Sequence, residues 1–485
     1  MVIAMASLHD RIEGVLLGTA AGDALGAPYE FGPPRGPELE VAMKGGGPWA
    51  PGEWTDDTAM AIAIAEAIAK GGDARNEAVQ DTIVARWLGW SLTAKDVGIQ
   101  TRSVLSGAAQ SGISAERAHA AAASVHQRTG RSAGNGSLMR TAPLAVAYLH
   151  DEQALVEAAR GVSGLTHFDP DAGDACVLWT VAIRHAVLTA ELDIRVGLRH
   201  LDPDRRDLWA ERLDIAESSR PADIASNGWT VAALQAAWSA IVHTVPGPEA
   251  VRANHLRLGL DAAVRAGNDT DTVAAIAGGL LGAAYGASAV PLEWRVLLHG
   301  WPGLRAHDLV NLASAIARGG KPDTFDFSYY DSPVDTVAVP PHDDKVVLGG
   351  IGVLRKLPAH VDAVVSLCRL ADDDMRVDMP HVEVRLIDRP EADENPHLDF
   401  VLNEAVHSIE RLRNKGHTVL LHCVGAYSRT PTVGALYGAR RCGISTKEAL
   451  RDVQAVLPRA YPNSAFRAAL TRLDPTTKHR SGGES

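Results

Sequence analysis

From Leu8 to about Ala317, apolar residues recur at helical spacing. The runs are "RIEGVLLGTAAGDALG", "AMAIAIAEAIAK", "NEAVQDTIVARWLGW", "DEQALVEAARGVS", "GDACVLWTVAIRHAVLTAEL", "WTVAALQAAWSAIVHTV" and "DTVAAIAGGLLGAAYGA". Gly and Pro punctuate them. Several are apolar nearly all round, which predicts helices central to a large bundle. Near residue 320 the helical period is lost. "GGKPDTFDFSYYDSPVDTVAVPPHDDK" reads as a linker passing into a strand or loop. Short β-like runs follow, "KVVLGGI", "VDAVVSLC", "HVEVRLI" and "HTVLLHC", alternating with helical segments. That alternation predicts an α/β fold with a partly parallel sheet. The chain therefore divides into an all-α domain over 8–318, a linker over 319–334 and a smaller α/β domain over 335–475. A polar, disordered tail over 476–485 follows.

Composition narrows the functional classes. A chain of 485 residues exceeds one ordinary domain. A formal charge of −12 argues against an extended nucleic-acid surface. Cys176, Cys368, Cys423 and Cys442 are too scattered for a disulfide framework or a zinc site, and read as reduced thiols. The N-terminus has no basic segment leading into an apolar one, and no run of ~18 apolar residues occurs, so neither a signal peptide nor a membrane span is expected. A cytoplasmic location follows as an expectation.

Two helix mouths carry more acid than a helix needs. "GEWTDDTAM" places Thr55, Asp56 and Asp57 before an apolar run, and "AGNDTDTVAAIAGG" places Asp269, Asp271 and Thr272 before another. Capping explains one such residue at each mouth. Adjacent, partly buried carboxylates repel one another unless a cation lies between them. Brought together, the six residues offer only oxygen ligands, the set that suits Mg²⁺ or Mn²⁺ rather than zinc. Four carboxylates suit two divalent ions, which can hold a substrate and polarise water. "GVLLGTAAGDALGAPYEF" puts Gly14, Gly18 and Gly22 on a four-residue period, the spacing that tight helix packing uses, and Glu30 follows Pro28 out of the helix.

These stretches resemble the ADP-ribosylglycohydrolases of the dinitrogenase reductase-activating type. The resemblance spans roughly 8–318 and rests on "GVLLGTAAGDALGAPYEF", "WTDDTAM", "KDVGIQT", "GNGSLMRTAPLAV", "THFDP" and "AGNDTDTVAAIAGGLLGA". It implies an all-helical, two-Mg²⁺ (or Mn²⁺) enzyme that cleaves the bond between ADP-ribose and an acceptor, which is a protein side chain, a nucleobase or a small molecule. It implies metal ligation by Thr55, Asp56, Asp57, Asp269, Asp271 and Thr272. Glu30 matches an acidic residue near the scissile bond, and Asp96 matches one that orients or deprotonates water. Either is then the base, and Asp96 also has a reading as a plain N-cap. Gly134, Asn135, Gly136, Ser137, Leu138, Met139 and Arg140 match a loop lining the ADP-ribose. His167, in "THFDP", reads as packing.

The second half carries "VLLHCVGAYSRTPTVGALYG". Cys423 is followed by five residues, then Arg429 and Thr430, between a strand-like and a helix-like run. A loop entering a helix N-terminus presents N–H groups to an anion and favours a thiolate. Arg429 offers a bidentate fork for phosphate oxygens, and Thr430 a hydrogen bond to the sulfur. Residues 335–475 resemble dual-specificity, cysteine-dependent phosphatases, which implies a phosphorylated substrate and an upstream Asp as general acid. Asp388 fits that place best and Asp393 is its rival. The loop departs from the family pattern, with Gly425 second after the Cys and Ala426 third. If the third position needs a positive φ, Ala426 is strained.

The expected function is a metal-dependent ADP-ribosyl hydrolase with an appended phosphatase-like domain that hydrolyses or binds a phosphate ester. The alternatives are a module that binds ADP-ribose and phosphate without turnover, and a phosphatase with a regulatory helical domain.

Overall fold

A computed structural model describes residues 5–110, 112–323 and 335–477. The predicted linker and tail lie largely outside the described residues. The chain divides into two units: Leu8–Val290 with Leu297–Asp323, and a second holding residues 5–7 and Pro291–Val296 together with 335–477.

The first unit is helical. Its helices are α1 Met5–Gly26, which belongs to it from Leu8 on, α2 Asp56–Ile68, α3 Glu77–Ser91, α4 Ile99–Ala108, α5 Ala115–Thr129, α6 Ala142–Ala147 and α7 Glu152–Gly164. They continue with α8 Pro170–Thr189, α9 Pro203–Ser218, α10 Thr230–Val242, α11 Asn254–Arg265 and α12 Thr270–Tyr285. After α13, Leu292–Arg295, which belongs to the second unit, a two-stranded ribbon of β1 His299–Gly300 and β2 Leu304–Arg305 leads into α14 Ala306–Arg318. Every residue of α12 is buried, as its all-round apolar sequence predicts. The glycine period of α1 is a packing device. A Cβ on Gly14, Gly18 or Gly22 would stand 2.2, 2.2 or 2.0 Å from the backbone oxygen of Gly282, Gly278 or Ala274 on α12. This backbone-to-backbone approach fixes the end of α1, and with it Glu30, beside the mouth of α12. Gly26, at the C-terminal end of α1, already touches Asp271 Cα: a Cβ there would lie 2.4 Å away.

The second unit is built on a five-stranded sheet ordered β3–β4–β7–β5–β6. The strands are β3 Val337–Ala338, β4 Val346–Gly349, β5 Ala363–Ser366, β6 His381–Glu383 and β7 Val419–His422. β3 is antiparallel to β4, and the remaining pairs are parallel. Alternate residues serve the two faces. Val346, Leu348, Val365, Val419 and Leu421 pack with the helices α16 Leu398–Asn414 and α17 Arg429–Cys442. Val347, Val364 and Leu420 pack with α15 Ile351–Arg355. Central β7 is buried along its whole length, the pattern of a parallel strand covered on both faces. The helices α18 Thr446–Val456 and α19 Ser464–Arg472 complete the unit. No helix among the described residues is long and apolar enough to cross a membrane.

Candidate active site

The geometry of the first unit explains its acidic helix mouths. Thr55 and Asp269 occupy the N-cap positions of α2 and α12, yet neither side chain makes a capping hydrogen bond. The cap of α2 comes instead from α1. Thr55 N–H donates to Asp23 Oδ1 at 2.9 Å, while Thr58 N–H and Thr58 Oγ1 donate to Asp23 Oδ2 at 3.0 and 2.6 Å. Asp56 and Asp57 are thereby relieved of capping and turn inward. The Thr55 hydroxyl donates to Asp57 Oδ2 at 3.0 Å and lies 3.4 Å from Asp271 Oδ2. One oxygen each from Asp23, Asp57 and Asp271 lie within 4.8 Å of one another, and so do oxygens of Glu30, Asp269 and Asp271. Thr272, also buried, donates its N–H to Asp271 Oδ1 at 3.0 Å. The two motifs, more than two hundred residues apart in sequence, thus form one oxygen-lined cluster together with Glu30.

Crowding shows in the protonation energetics. Burial, followed by the neighbouring charges, raises Asp57 and Asp271 well above the usual carboxylate range. Asp56 is pushed up to about 7 by burial and by Asp23, Asp96 and Asp269. Glu30 is pushed up to about 8 by burial, Asp269, Asp56, Asp96 and Asp23. Asp57 Oδ1 is buried with no hydrogen-bond partner. An orphaned carboxylate oxygen inside an all-oxygen, anionic donor set fits a hard divalent cation.

The "KDVGIQT" segment borders this cluster. Asp96 is not a helix cap, since α4 begins at Ile99 with Gly98 in the N-cap position. The Asp96 carboxylate accepts from Val97 N–H at 2.7 Å and stands close enough to raise both Glu30 and Asp56.

The "GNGSLMR" loop divides in two. Asn135 donates to Asp269 Oδ2 at 2.8 Å and to Asn227 O at 3.0 Å, which ties the loop to the acidic cluster. Gly134 and Gly136 lie against the His167 ring. Ser137, Leu138, Met139 and Arg140 continue the 3₁₀ helix that begins at Asn135 and are buried. The Arg140 guanidinium sits 3.9 Å from the Trp87 ring centroid and donates to Thr166 Oγ1 at 2.6 Å. Trp87 holds the cation in the core, within electrostatic reach of Asp56. Thr166 Oγ1, which accepts from Arg140, also hydrogen-bonds His167 Nδ1 at 2.7 Å. Burial and the nearby Arg140 keep His167, 3% exposed, neutral where it packs beneath the loop.

Two residues escaped the sequence reading. Asp23 was visible as a lone acid inside the apolar helix of "AAGDALG". Asn227 accepts Asp269 N–H at 3.1 Å and donates to Gly267 O at 2.9 Å, and it carries no local signal.

In the second unit, Cys423 follows β7 directly and is buried, and its loop runs into α17 at Arg429. Arg429 donates to Leu367 O at 2.9 Å and Leu386 O at 3.2 Å, which anchors the guanidinium below the loop. Asp388 Oδ2 stands 3.8 Å from Arg429 Nε, and Asp388 Oδ1 accepts from Asn463 at 3.0 Å. These contacts bring Asp388 to the Arg429 side chain. Buried Thr430 directs its hydroxyl to Gly349 O at 3.4 Å. Ala426 has φ +52°, so the position does require the left-handed region. Buried His422 joins a chain through Ser366 Oγ, which lies 2.6 Å from His422 Nε2 and 2.7 Å from His381 Nε2.

A model of the ADP-ribosylglycohydrolase family matches residues 4–323. The ADP-ribosylarginine hydrolase Tri1 of Pseudomonas putida is 33% identical over 294 residues, which is 59% of this chain and 73% of that protein. Dual specificity protein phosphatase 1 of Arabidopsis thaliana is 30% identical over 115 residues, 24% of this chain and 54% of that protein. A solved ADP-ribosylglycohydrolase-related protein complex aligns at 31% identity with a TM-score of 0.48, covering 65% of this chain and 99% of that one.

Proposed function

From the premise that this chain belongs to the ADP-ribosylglycohydrolase family, we propose that its first unit is a divalent-metal-dependent hydrolase of ADP-ribosylated proteins. The observation that carries the metal dependence is Asp57 Oδ1, buried without a partner among five further carboxylates. Thr55, Asp56, Asp57, Asp269, Asp271 and Thr272 would hold one or two Mg²⁺ or Mn²⁺ ions. When bound, such ions supply Lewis-acid polarisation of ribose hydroxyls and of a water.

The chain's own residues perform the remaining work. Asn135, tethered to Asp269, holds the Gly134–Gly136 backbone against the nucleotide. Glu30, whose carboxylate approaches Asp269 and Asp271, is placed to take the proton of the attacking water. Asp96, on the outer side, orients that water. The C1–acceptor bond breaks through an oxocarbenium-like state, its electron pair leaving with the acceptor atom, which then receives the proton held by Glu30. The relative named an ADP-ribosylarginine hydrolase makes arginine the first acceptor to test.

The test is release of ADP-ribose from arginine- and serine-linked ADP-ribosylated proteins. The protein is assayed with Mg²⁺, with EDTA, and as Asp57→Ala. Release that needs both metal and Asp57 supports the reading. Tight, metal-dependent ADP-ribose binding without release from any acceptor would move it to a binding module.

A second activity is favoured by the Cys423 loop. There Cys423 directly follows the central strand, and Asp388 stands 3.8 Å from Arg429 at the start of the next helix. In this reading the Cys423 thiolate attacks phosphorus and Arg429 holds the phosphate oxygens. Asp388 protonates the leaving alcohol, and water then hydrolyses the thiophosphate. Hydrolysis of p-nitrophenyl phosphate that is lost in Cys423→Ser and slowed in Asp388→Asn is the expected result. No hydrolysis by the unaltered chain would leave a phosphate-binding role only.

A further inference from the structure

Strands β7, β5 and β6 carry a line of polar side chains across one face of the sheet. Ser366 and His422 are partners in the parallel ladder, and His381 begins the strand beyond. Their neighbours on this face, Val347, Val364 and Leu420, are apolar. Ser366 and His422 are fully buried, and His381 is half-buried. Folding gives no reason for the line, since apolar residues of similar shape would fill the face without a network to satisfy.

The hydrogen bonds fix where each proton lies. Arg376 N–H donates to His381 Nδ1 at 2.9 Å, so that nitrogen is bare. His381 is therefore neutral, with its proton on Nε2, and donates to Ser366 Oγ at 2.7 Å. Ser366 directs its own proton to His422 Nε2 at 2.6 Å. An acceptor at Nε2, His422 is a donor at Nδ1. That N–H faces the Cys423 carbonyl oxygen at 3.4 Å. In the opposite tautomer a ring lone pair would face the carbonyl lone pairs instead. A cationic His422 would set a second N–H donor against Ser366 Oγ, and the hydroxyl proton would lose its acceptor. The next carbonyl, Val424 O, is also held, by Ile351 N–H at 3.0 Å. The loop thus leaves β7 with its first two carbonyls tied back.

We propose that Ser366 and His381 are positioning residues for Cys423, acting through His422, whose ring they hold in the neutral Nδ1–H form against the Cys423 carbonyl. The ring then supplies orientation and not charge. A Cys423 thiolate is supported by the loop's N–H groups and Arg429, and not by an imidazolium. The inference rests on the reading of the Cys423 loop as a thiolate site.

The test uses the full-length protein with ¹⁵N-labelled histidine. Long-range proton–nitrogen spectra near neutral pH should show the His422 proton on Nδ1 and the His381 proton on Nε2. Each signal is assigned by its loss in His422→Gln or His381→Phe. A His422 proton on Nε2, or on both nitrogens, would overturn the proposal. The second readout is the rate of Cys423 alkylation by iodoacetamide against pH, followed by mass spectrometry of the Cys423 peptide. Ser366→Ala and His381→Phe should each raise the apparent thiol pKa by about one unit, as the loop loses its alignment on the sulfur. Ser366→Thr keeps the hydroxyl and should restore the wild-type profile. An unchanged profile in both Ser366→Ala and His381→Phe would overturn the proposal. So would an equal shift in Ser366→Thr, which would mark a packing effect. Neither readout needs phosphate turnover, so failure of the phosphatase reading and failure of this proposal are told apart.

Discussion

Asp23 of α1 receives the Thr58 hydroxyl of α2 at 2.6 Å, so one helix is capped by a carboxylate from another. The same carboxylate also receives the Thr55 and Thr58 N–H groups. Asp23→Ala leaves these buried donors unpaired and should destabilise the first unit by about 2–3 kcal/mol or more, since hydrogen bonds to a charged acceptor are the strong ones. It should also displace Thr55 and Asp57 and so weaken Mn²⁺ binding, read by titration calorimetry. Wild-type Mn²⁺ affinity in the variant would show that Asp23 does not position the cluster.

The α1–α12 contact gives a sharper contrast. Gly18→Ala would drive a Cβ to 2.2 Å from Gly278 O, which requires the helices to separate. Overpacking of this kind costs roughly 1–3 kcal/mol or more. Gly89, within α3, has nothing within 4 Å of its added Cβ. Gly89→Ala should therefore stabilise by about 0.5–1 kcal/mol. Thermal unfolding of the two variants should move in opposite directions, and a shared direction would refute the packing argument.

Much of this arrangement was legible, and the illegible part has a physical pattern. Strongly periodic segments such as that of α12 declared themselves, because burial all round leaves no polar face. The acid pairs of the α2 and α12 mouths were readable because capping could not account for so many carboxylates. Interactions supplied from elsewhere in the chain were not. Asp23 caps a helix thirty-two residues away. Trp87, which packs on the Arg140 guanidinium, is likewise remote from it in sequence. The helix α9 buries only Trp209, Leu213 and Ala216, too narrow a stripe to stand out among its charges. The suspected strain at Ala426 was readable because the loop's spacing placed Ala where the phosphatase pattern has Gly.

That strain is measurable. At φ +52° Ala426 pays the left-handed penalty of roughly 1–2 kcal/mol. Ala426→Gly removes it, while the greater freedom of Gly in the unfolded chain offsets about 0.4–1 kcal/mol. The variant should melt at the wild-type temperature or slightly above. A drop of several degrees, the usual result of an Ala→Gly change, would show that the position is not strained.

His422 sets a pH dependence for the second unit. Burial, together with the charges of His381 and Arg429, pulls its pKa down to about 3. In the unfolded chain it titrates near 6.5. Between these values the unfolded state binds the extra proton, so stability is full above about 6.5 and falls as pH falls toward 3. His422→Gln removes this contribution. The difference in unfolding free energy between wild type and variant should therefore shift against the wild type as pH drops from 7 to 4. A difference independent of pH would rule out a buried neutral His422.

Asp57 gives the cleanest test of the cation reading, because the expected sign changes with conditions. Without a divalent ion, Asp57 is buried among Asp23, Asp56, Asp269 and Asp271, and Oδ1 lacks a partner. Replacing its carboxylate by an isosteric amide removes a repelled charge and adds a donor toward those neighbours. In EDTA, Asp57→Asn should therefore melt above the wild type. Adding Mg²⁺ or Mn²⁺ should reverse the order. An ion that binds only the folded wild type stabilises it by about 2.7 kcal/mol at a hundred times its dissociation constant. The variant, with a ligand lost, should gain much less. Melting curves of both proteins, with EDTA and across a metal titration, should thus cross. Parallel curves would mean that Asp57 holds no ion. A variant less stable even in EDTA would mean that the Thr55–Asp57 hydrogen bond outweighs the carboxylate repulsion on which the cation assignment rests.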